Sequence, residues 1–482
     1  MKAKETQPSN NGKQDPLLSR RNAIKGFAKV AGAVAMGAAS TSQAAEPQPA
    51  DPCEPKNPYG GGPGTGLSLP AYYKPTPSLK NNNVYLPGTE ELDKDEMRVS
   101  FVGGCPWPPR RDQAGTCIMV ELGNGGRFFF DFGSGCMRKI IAMHVPPGLI
   151  NDIFLTHLHV DHYADLPFML PFTAVSGRFK PLRLTGPSGR TPDLGTQVMA
   201  KKMREMLRWH LEEFDSCPAG DGFEIEVNEF DYRKENEVCY DKDGVTVRHW
   251  PRSHGKDGAS AYRLDWNGLS FVWTGDGRPD ELTANYAKGV DVFVSEVQND
   301  IGRLMSLKTG FPEPLYNYVM DTHHTPHYAV GYLMQQIQPR IGMVTHLEHE
   351  PELVSEVIAG VRAHWNGLFV VGAPDVKVAN VTKDAIWVRD AALPGLGSPA
   401  RPNMPKMIAE MAAKGVPIPK EIVFPPVRLP REQQQDEYVR KMEIDPAKYT
   451  PANVQRALVT EMPPIKINVE EMMKAHAKKA GE

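Results

Sequence analysis

The chain has 482 residues, enough for two average domains or for one large domain with extensions. Its 40% hydrophobic and 23% charged content is that of a globular protein with a sizeable core, not of a disordered chain. Formal net charge is −3, and residues 1–44 carry seven Lys/Arg against two Asp/Glu, so the remainder sits near −8. A mildly acidic surface has no electrostatic footprint for nucleic acid, and none is expected as a partner.

The N-terminus reads as a targeting segment. Ser19-Arg20-Arg21-Asn22-Ala23-Ile24-Lys25 precedes a weakly apolar, Gly/Ala-rich run to Ala39 and the small-x-small site Ser42-Gln43-Ala44. This resembles a twin-arginine export signal over residues 1–44, which implies a periplasmic or secreted protein. No later stretch reaches about eighteen uninterrupted apolar residues, so no membrane span is expected. The six cysteines (Cys53, Cys105, Cys117, Cys136, Cys217, Cys239) all follow that site. Their even number permits disulfides without specifying any, and none sits at C-x-x-C spacing.

Residues 45–97 are rich in Pro, Gly and Asn and read as an extended lead-in without a core of its own. From residue 98 the pattern becomes strand, turn, strand. Val99–Val102 runs into Gly103-Gly104, and Thr116–Leu122 with Arg127–Phe132 form a hairpin across Gly123-Asn124-Gly125-Gly126. Next, the apolar run Ile153-Phe154-Leu155 delivers Thr156-His157-Leu158-His159-Val160-Asp161-His162. Alternation along the strand end points His157 and His159 to one side, where neutral imidazoles suit a borderline-soft divalent ion such as zinc. Asp161 and His162 can reach a second ion. Apolar residues at helical spacing predict an amphipathic helix over Leu194–Phe214.

Four later segments carry His or Asp at predicted strand or helix ends. Val245–Trp250 leads to Pro251-Arg252-Ser253-His254, Leu269–Trp273 leads to Thr274-Gly275-Asp276, Asp321–Pro326 opens a helix, and Ile341–Val344 leads to Thr345-His346. Together they supply what a dinuclear site needs: about three protein ligands per ion, a bridging carboxylate and an open position for water. After residue 390 proline becomes frequent again, and the chain ends in a polar helix around Val469–Lys479.

In this order the motifs resemble the metallo-β-lactamase-fold hydrolases, within them the ribonuclease Z and zinc-dependent arylsulfatase branch. The match covers roughly residues 98–390. It rests on Phe101-Val102-Gly103-Gly104 with Pro109 and Arg111, Asp131-Phe132-Gly133-Ser134-Gly135, the H-x-H-x-D-H run, Thr274–Pro279 and Thr345-His346. The resemblance implies an α/β, four-layer αββα sandwich with Pro-rich extensions at 45–97 and 391–482. It implies two divalent ions, zinc by preference: one on His157, His159 and His254, the other on Asp161, His162 and His346, with Asp276 bridging. His249 competes with His254 and is taken instead as a packed strand residue. The His323-His324-Thr325-Pro326 segment resembles the family's proton-donor motif with His323 as donor and His324 as the alternative, and Glu296 as the carboxylate that orients it.

The implied chemistry is ester hydrolysis: two ions lower the pKa of a shared water, Asp161 orients it, and protonated His323 neutralises the leaving oxyanion. No long basic arm for RNA is found between Pro171 and Tyr240. The expected substrate is therefore a small-molecule ester, a sulfate or phosphate ester before a lactone or carboxylic ester. A biosynthetic enzyme on the same fold, or a non-catalytic periplasmic binding protein, are the other readings, and a homodimer is compatible with either extension.

Overall fold

The computed structural model describes residues 84–393, apart from 107–109, 215–218, 256, 300–305, 308, 311 and 373, together with pieces of 408–480. The segment expected to be an export signal, the lead-in up to residue 83, Pro109, Cys53 and Cys217 lie outside the described residues.

Sixteen strands in chain order build two sheets among these residues. The first eight are β1 (Val84–Tyr85), β2 (Met97–Gly103), β3 (Cys117–Leu122), β4 (Arg127–Phe130), β5 (Asp152–Phe154), β6 (Leu182–Pro187), β7 (Ile225–Phe230) and β8 (Glu237–Lys242). Then follow β9 (Val245–Arg252), β10 (Ala259–Trp266), β11 (Leu269–Trp273), β12 (Val292–Glu296), β13 (Ile341–Thr345), β14 (Phe369–Val371), β15 (Lys377–Val381) and β16 (Ile386–Ala391). One sheet has the order β1-β16-β15-β2-β3-β4-β5-β6-β7 and the other β14-β13-β12-β11-β10-β9-β8.

Strand alternation explains how the sheets stack. In β3, Ile118 and Val120 face a core shared with Tyr262, Phe271, Val292 and Met343 of the second sheet, whereas Cys117 and Met119 face the opposite side. Phe130 lies at the middle of the inter-sheet core, its ring 5.2 Å from Phe154 and 5.0 Å from Phe271. The outer face of the first sheet is covered by helices α1 (Cys136–Ala142), α2 (Val160–Tyr163), α3 (Leu166–Val175) and α4 (Thr196–Met206), the last followed by the short, exposed α5 (Arg208–Glu213). The second is covered by α6 (Glu281–Tyr286), then, after α7 (Glu313–His323), by α8 (His327–Ile337) and α9 (Pro351–Arg362). The expected αββα sandwich is thus formed, and strands buried on both faces read as the near-continuous apolar runs seen in the sequence.

Two local expectations differ. The helix placed over Leu194–Phe214 starts at Thr196, after the extended Gly195, and is interrupted at Leu207, where ψ is 0°. The segment Asp321–Pro326 opens α8 at His327 with Pro326 as its extended cap, as read, but its first half, Asp321 to His323, also closes α7, which the sequence did not indicate. The terminal helix forms as read, α10 at Val469–Ala480. Cys117, Cys136 and Cys239 are buried free thiols, and Cys105 is buried as well. No helix among the described residues is long and apolar enough to cross a membrane.

In the first sheet β4 to β7 run parallel, and in the second β11 to β14 do. Their carboxyl ends, with the end of β9, place Glu296 as the last residue of β12 and release the loops that carry Asp131, His157, His254, Asp276 and His346. That edge is where parallel α/β sheets bind ligands, because loops from several strands converge there.

Candidate metal centre

The loop after β5 leaves its strand in extended form and brings the His157 and His159 rings within 4.6 Å of each other. The His254 ring, two residues beyond β9, lies 4.6 Å from His157 and 4.8 Å from His159. On the other side, Asp161 Oδ2 is 3.6 Å from His162 Nε2 and 3.2 Å from His346 Nε2. The Asp276 carboxylate stands between the two sets. Its Oδ2 lies 3.9 Å from His157 Nε2, 3.8 Å from His254 Nε2, and 3.3 Å from both His162 Nε2 and His346 Nε2. All seven residues expected as ligands converge. His249 does not join them: its ring stacks on Phe230 at 3.7 Å, inside the fold.

The donor set fits divalent ions. His157 Nε2, His162 Nε2 and Asp276 Oδ1 are buried and find no hydrogen-bond partner, an arrangement costing about 1–3 kcal/mol per group unless something else satisfies them. Imidazole nitrogens and carboxylate oxygens converging at this spacing match zinc-type coordination. Burial, reinforced by neighbouring imidazoles, pushes His157 well below its ordinary value, and burial takes His254 down to about 3, so these rings are in the neutral, ligating form. Burial also opposes charge on His162, but Asp276, Asp131 and Asp161 outweigh it and raise that pKa.

Several residues outside the ligand set orient it. Asp131, fully buried at φ 61°, accepts from Thr156 N at 2.8 Å, His162 Nδ1 at 2.9 Å and Trp273 Nε1 at 2.9 Å. This holds the His162 proton on Nδ1 and leaves Nε2 for metal. His254 Nδ1 donates to the His323 carbonyl at 2.6 Å with the same effect. Close packing of the Asp131 loop on the histidine loop requires Gly133, where a Cβ would fall 2.0 Å from the Asp161 carbonyl oxygen.

The structure separates the paired histidines. Expected beside His323, Glu296 instead meets His324, whose Nδ1 lies 3.0 Å from Glu296 Oε2. His323 ends α7, while His324 is extended at φ −128°, ψ 164°, so successive side chains diverge. The His323 ring faces a cavity of about 560 Å³ with His159, Arg278 and Tyr318, and its Nδ1 donates to Thr322 Oγ1. Burial works against charge on His324, yet the Glu296 carboxylate prevails and lifts it to about 9. Sequence reasoning gave no role to Asp131, Trp273, Thr325 or Arg252. An acid at the end of a strand preceding Gly133 was the available signal for the first; nothing in the sequence marked the others.

A model of the metallo-beta-lactamase superfamily matches residues 110–177, which include the H-x-H-x-D-H run. Over 279 residues the chain is 26% identical to the ribonuclease Z of Mycobacterium marinum, covering 56% of this chain and 91% of that relative. It is 28% identical over 241 residues to the ribonuclease BN of Erwinia tasmaniensis, covering 42% of this chain and 78% of that one. Among solved structures, the metallo-beta-lactamase fold protein YhfI of Bacillus subtilis aligns with a TM-score of 0.43 at 16% identity, over 61% of this chain and 100% of that one. The chain therefore carries a metallo-β-lactamase superfamily domain with ribonuclease Z-like homologues, and it is a metal-dependent hydrolase acting on ester bonds. These relatives overturn two expectations, the small-molecule ester substrate and the absence of a nucleic-acid partner, since they are ribonucleases. The reasoning failed because net charge sums over the whole surface and does not report the potential of a single cleft.

Proposed function

We propose that this protein hydrolyses phosphodiester bonds in RNA, using two zinc ions held by His157, His159 and His254 on one side and Asp161, His162 and His346 on the other, with Asp276 shared. The observation that carries the reaction class is the Asp276 carboxylate oxygen within 3.3–3.9 Å of four imidazole nitrogens, two from each set. The RNA substrate is supported by the similarity to ribonuclease Z along 91% of that relative's length. When bound, the ions would supply a water of lowered pKa and polarise the phosphoryl oxygen.

The remaining steps belong to the chain's own side chains. Asp161, partly exposed beside the cleft, is suited to orient the attacking water and accept its proton. Glu296 accepts the Nδ1 proton of His324 and leaves a proton on Nε2 for the departing oxygen. This pairing favours His324 over His323 as the donor. His323, at the mouth of the cavity with Arg278 and Tyr318, is suited to contact the substrate chain.

Metal-loaded protein should cleave an RNA oligonucleotide, and chelation should abolish cleavage. His324→Ala should lower RNA turnover about 10²–10⁴-fold with both metals retained, the usual worth of a general acid. Loss of a nitrophenolate leaving group needs no proton, so bis(4-nitrophenyl) phosphate should be affected far less. Absence of RNA cleavage by metal-replete protein would refute the substrate. A larger leaving-group effect in His323→Ala would return the donor role to that residue.

A further inference from the structure

Arg252 closes β9, two residues before His254, and its guanidinium is fully buried. Burying a guanidinium costs several kcal/mol unless its hydrogen bonds are made, so its partners indicate what it holds. Nη1 pairs with Asp280 Oδ2 and donates to Thr283 Oγ1 at 3.1 Å. Nη2 donates to the Gly277 carbonyl at 2.9 Å and reaches Thr325 Oγ1 at 3.5 Å. Thr325 Oγ1 in turn donates to the same Gly277 carbonyl at 2.6 Å. Arg252 thus fastens the loop carrying Asp276 to the segment carrying His324.

The two fastened residues share a second target. Gly277 N donates to Glu296 Oε1 at 2.9 Å, and Thr325 N donates to the same oxygen at 3.0 Å. Glu296 Oε2 is then left to His324 Nδ1. Arg252 lies against the bare Cα of Gly277, where a Cβ would come within 2.9 Å of its Nε. It occupies no position among the metal ligands.

Building on the reading of His324 as donor, we propose that Arg252 is a positioning residue for the proton-transfer dyad: by tying Gly277 to Thr325 it fixes the two N–H groups that orient Glu296, and through Glu296 the ring of His324. A guanidinium is suited to the task because its planar fork reaches a carboxylate, two hydroxyls and a carbonyl at once, which a single ammonium cannot do.

The test compares Arg252→Met, Arg252→Lys and Thr325→Val with the unmodified zinc-loaded protein. Misplacing a reacting group by a fraction of an ångström to 1 Å costs up to about a hundredfold, so Arg252→Met should lower kcat on a ribodinucleotide roughly tenfold to a hundredfold. Zinc content and KM should stay the same, and bis(4-nitrophenyl) phosphate turnover should fall less than about threefold by the same argument. Arg252→Lys should recover part of the loss. Thr325→Val, which removes one hydroxyl and keeps the shape, should lose in the same direction and serves if Arg252→Met does not fold.

A second readout is independent of turnover. In ¹⁵N-histidine spectra, assigned with His324→Gln, the Nδ1–H of His324 should exchange with solvent faster in Arg252→Met and Thr325→Val than in the unmodified protein. If that proton is unchanged, or if both esters lose turnover equally with zinc intact, Arg252 is not a positioning residue. Failure of the unmodified protein to cleave RNA would remove the ribonuclease reading, and the proton readout would then decide the Arg252 proposal alone.

Discussion

Asp131→Asn replaces one carboxylate oxygen by an amide and keeps the shape, at a position where four donor groups converge on two oxygens. Oδ1 accepts from Thr156 N at 2.8 Å, Oδ2 accepts from His162 Nδ1 and Trp273 Nε1, and the Thr156 hydroxyl lies within 3.0 Å of both. Thr156 N and Trp273 Nε1 can only donate, so an amide nitrogen on either side meets a donor. If it takes the Oδ1 place, the backbone N–H of Thr156 is stranded in the core. If it takes the Oδ2 place, Trp273 loses its acceptor and His162 is driven toward the tautomer protonated on Nε2, the atom needed for metal. Either arrangement strands a buried donor, so the metal-free protein should lose about 1–3 kcal/mol of stability. Disturbing a partner that orients a metal-ligating histidine should weaken zinc binding about 10–100-fold. Urea unfolding of the metal-free protein measures the first quantity, and competition against a chromogenic zinc chelator measures the second. Unchanged stability together with unchanged zinc affinity would refute the role assigned to Asp131.

Asp276→Ala should leave the protein with neither ion in elemental analysis, since its carboxylate stands between both ligand sets; retention of one full equivalent would show that it serves a single site. His249, buried without a hydrogen-bond partner on either ring nitrogen, is held down to about 4 by burial against the opposing pull of Asp231. The unfolded chain therefore binds a proton below pH 6.5 that the folded one refuses, so this residue's contribution falls between pH 6.5 and 4 by about 3 kcal/mol. In His249→Phe that part of the acid-induced loss should disappear, and an unaltered stability profile over the same range would contradict it. We propose that residues 1–44 direct twin-arginine export: Arg20-Arg21→Lys-Lys should retain the protein in the cytoplasm, while continued export would assign the N-terminus another role.

The sequence by itself determined the chemistry available at the site. His157, His159, Asp161 and His162 lie within six positions, and a short loop after a buried strand leaves them no distance to separate, so their convergence was legible. Asp276 and His346 could be read for a related reason: each follows an apolar run too short for a helix, and parallel strand ends meet along one edge. Tertiary structure decided wherever two candidates sat close together in the chain. Between His249 and His254 the resemblance favoured the second, and the structure supplies the physical reason: packing of β9 against Phe230 buries His249 and leaves His254 beyond the strand end. For His323 and His324 the outcome depends on where α7 stops. One residue of extended backbone turns adjacent side chains to opposite sides, and the ring that meets Glu296 is the one already outside the helix. The partners of Arg252 and Asp131 could not be read for a deeper reason: they are backbone groups and side chains up to 142 positions away, and only the closing of two sheets on one another brings those groups within hydrogen-bonding distance.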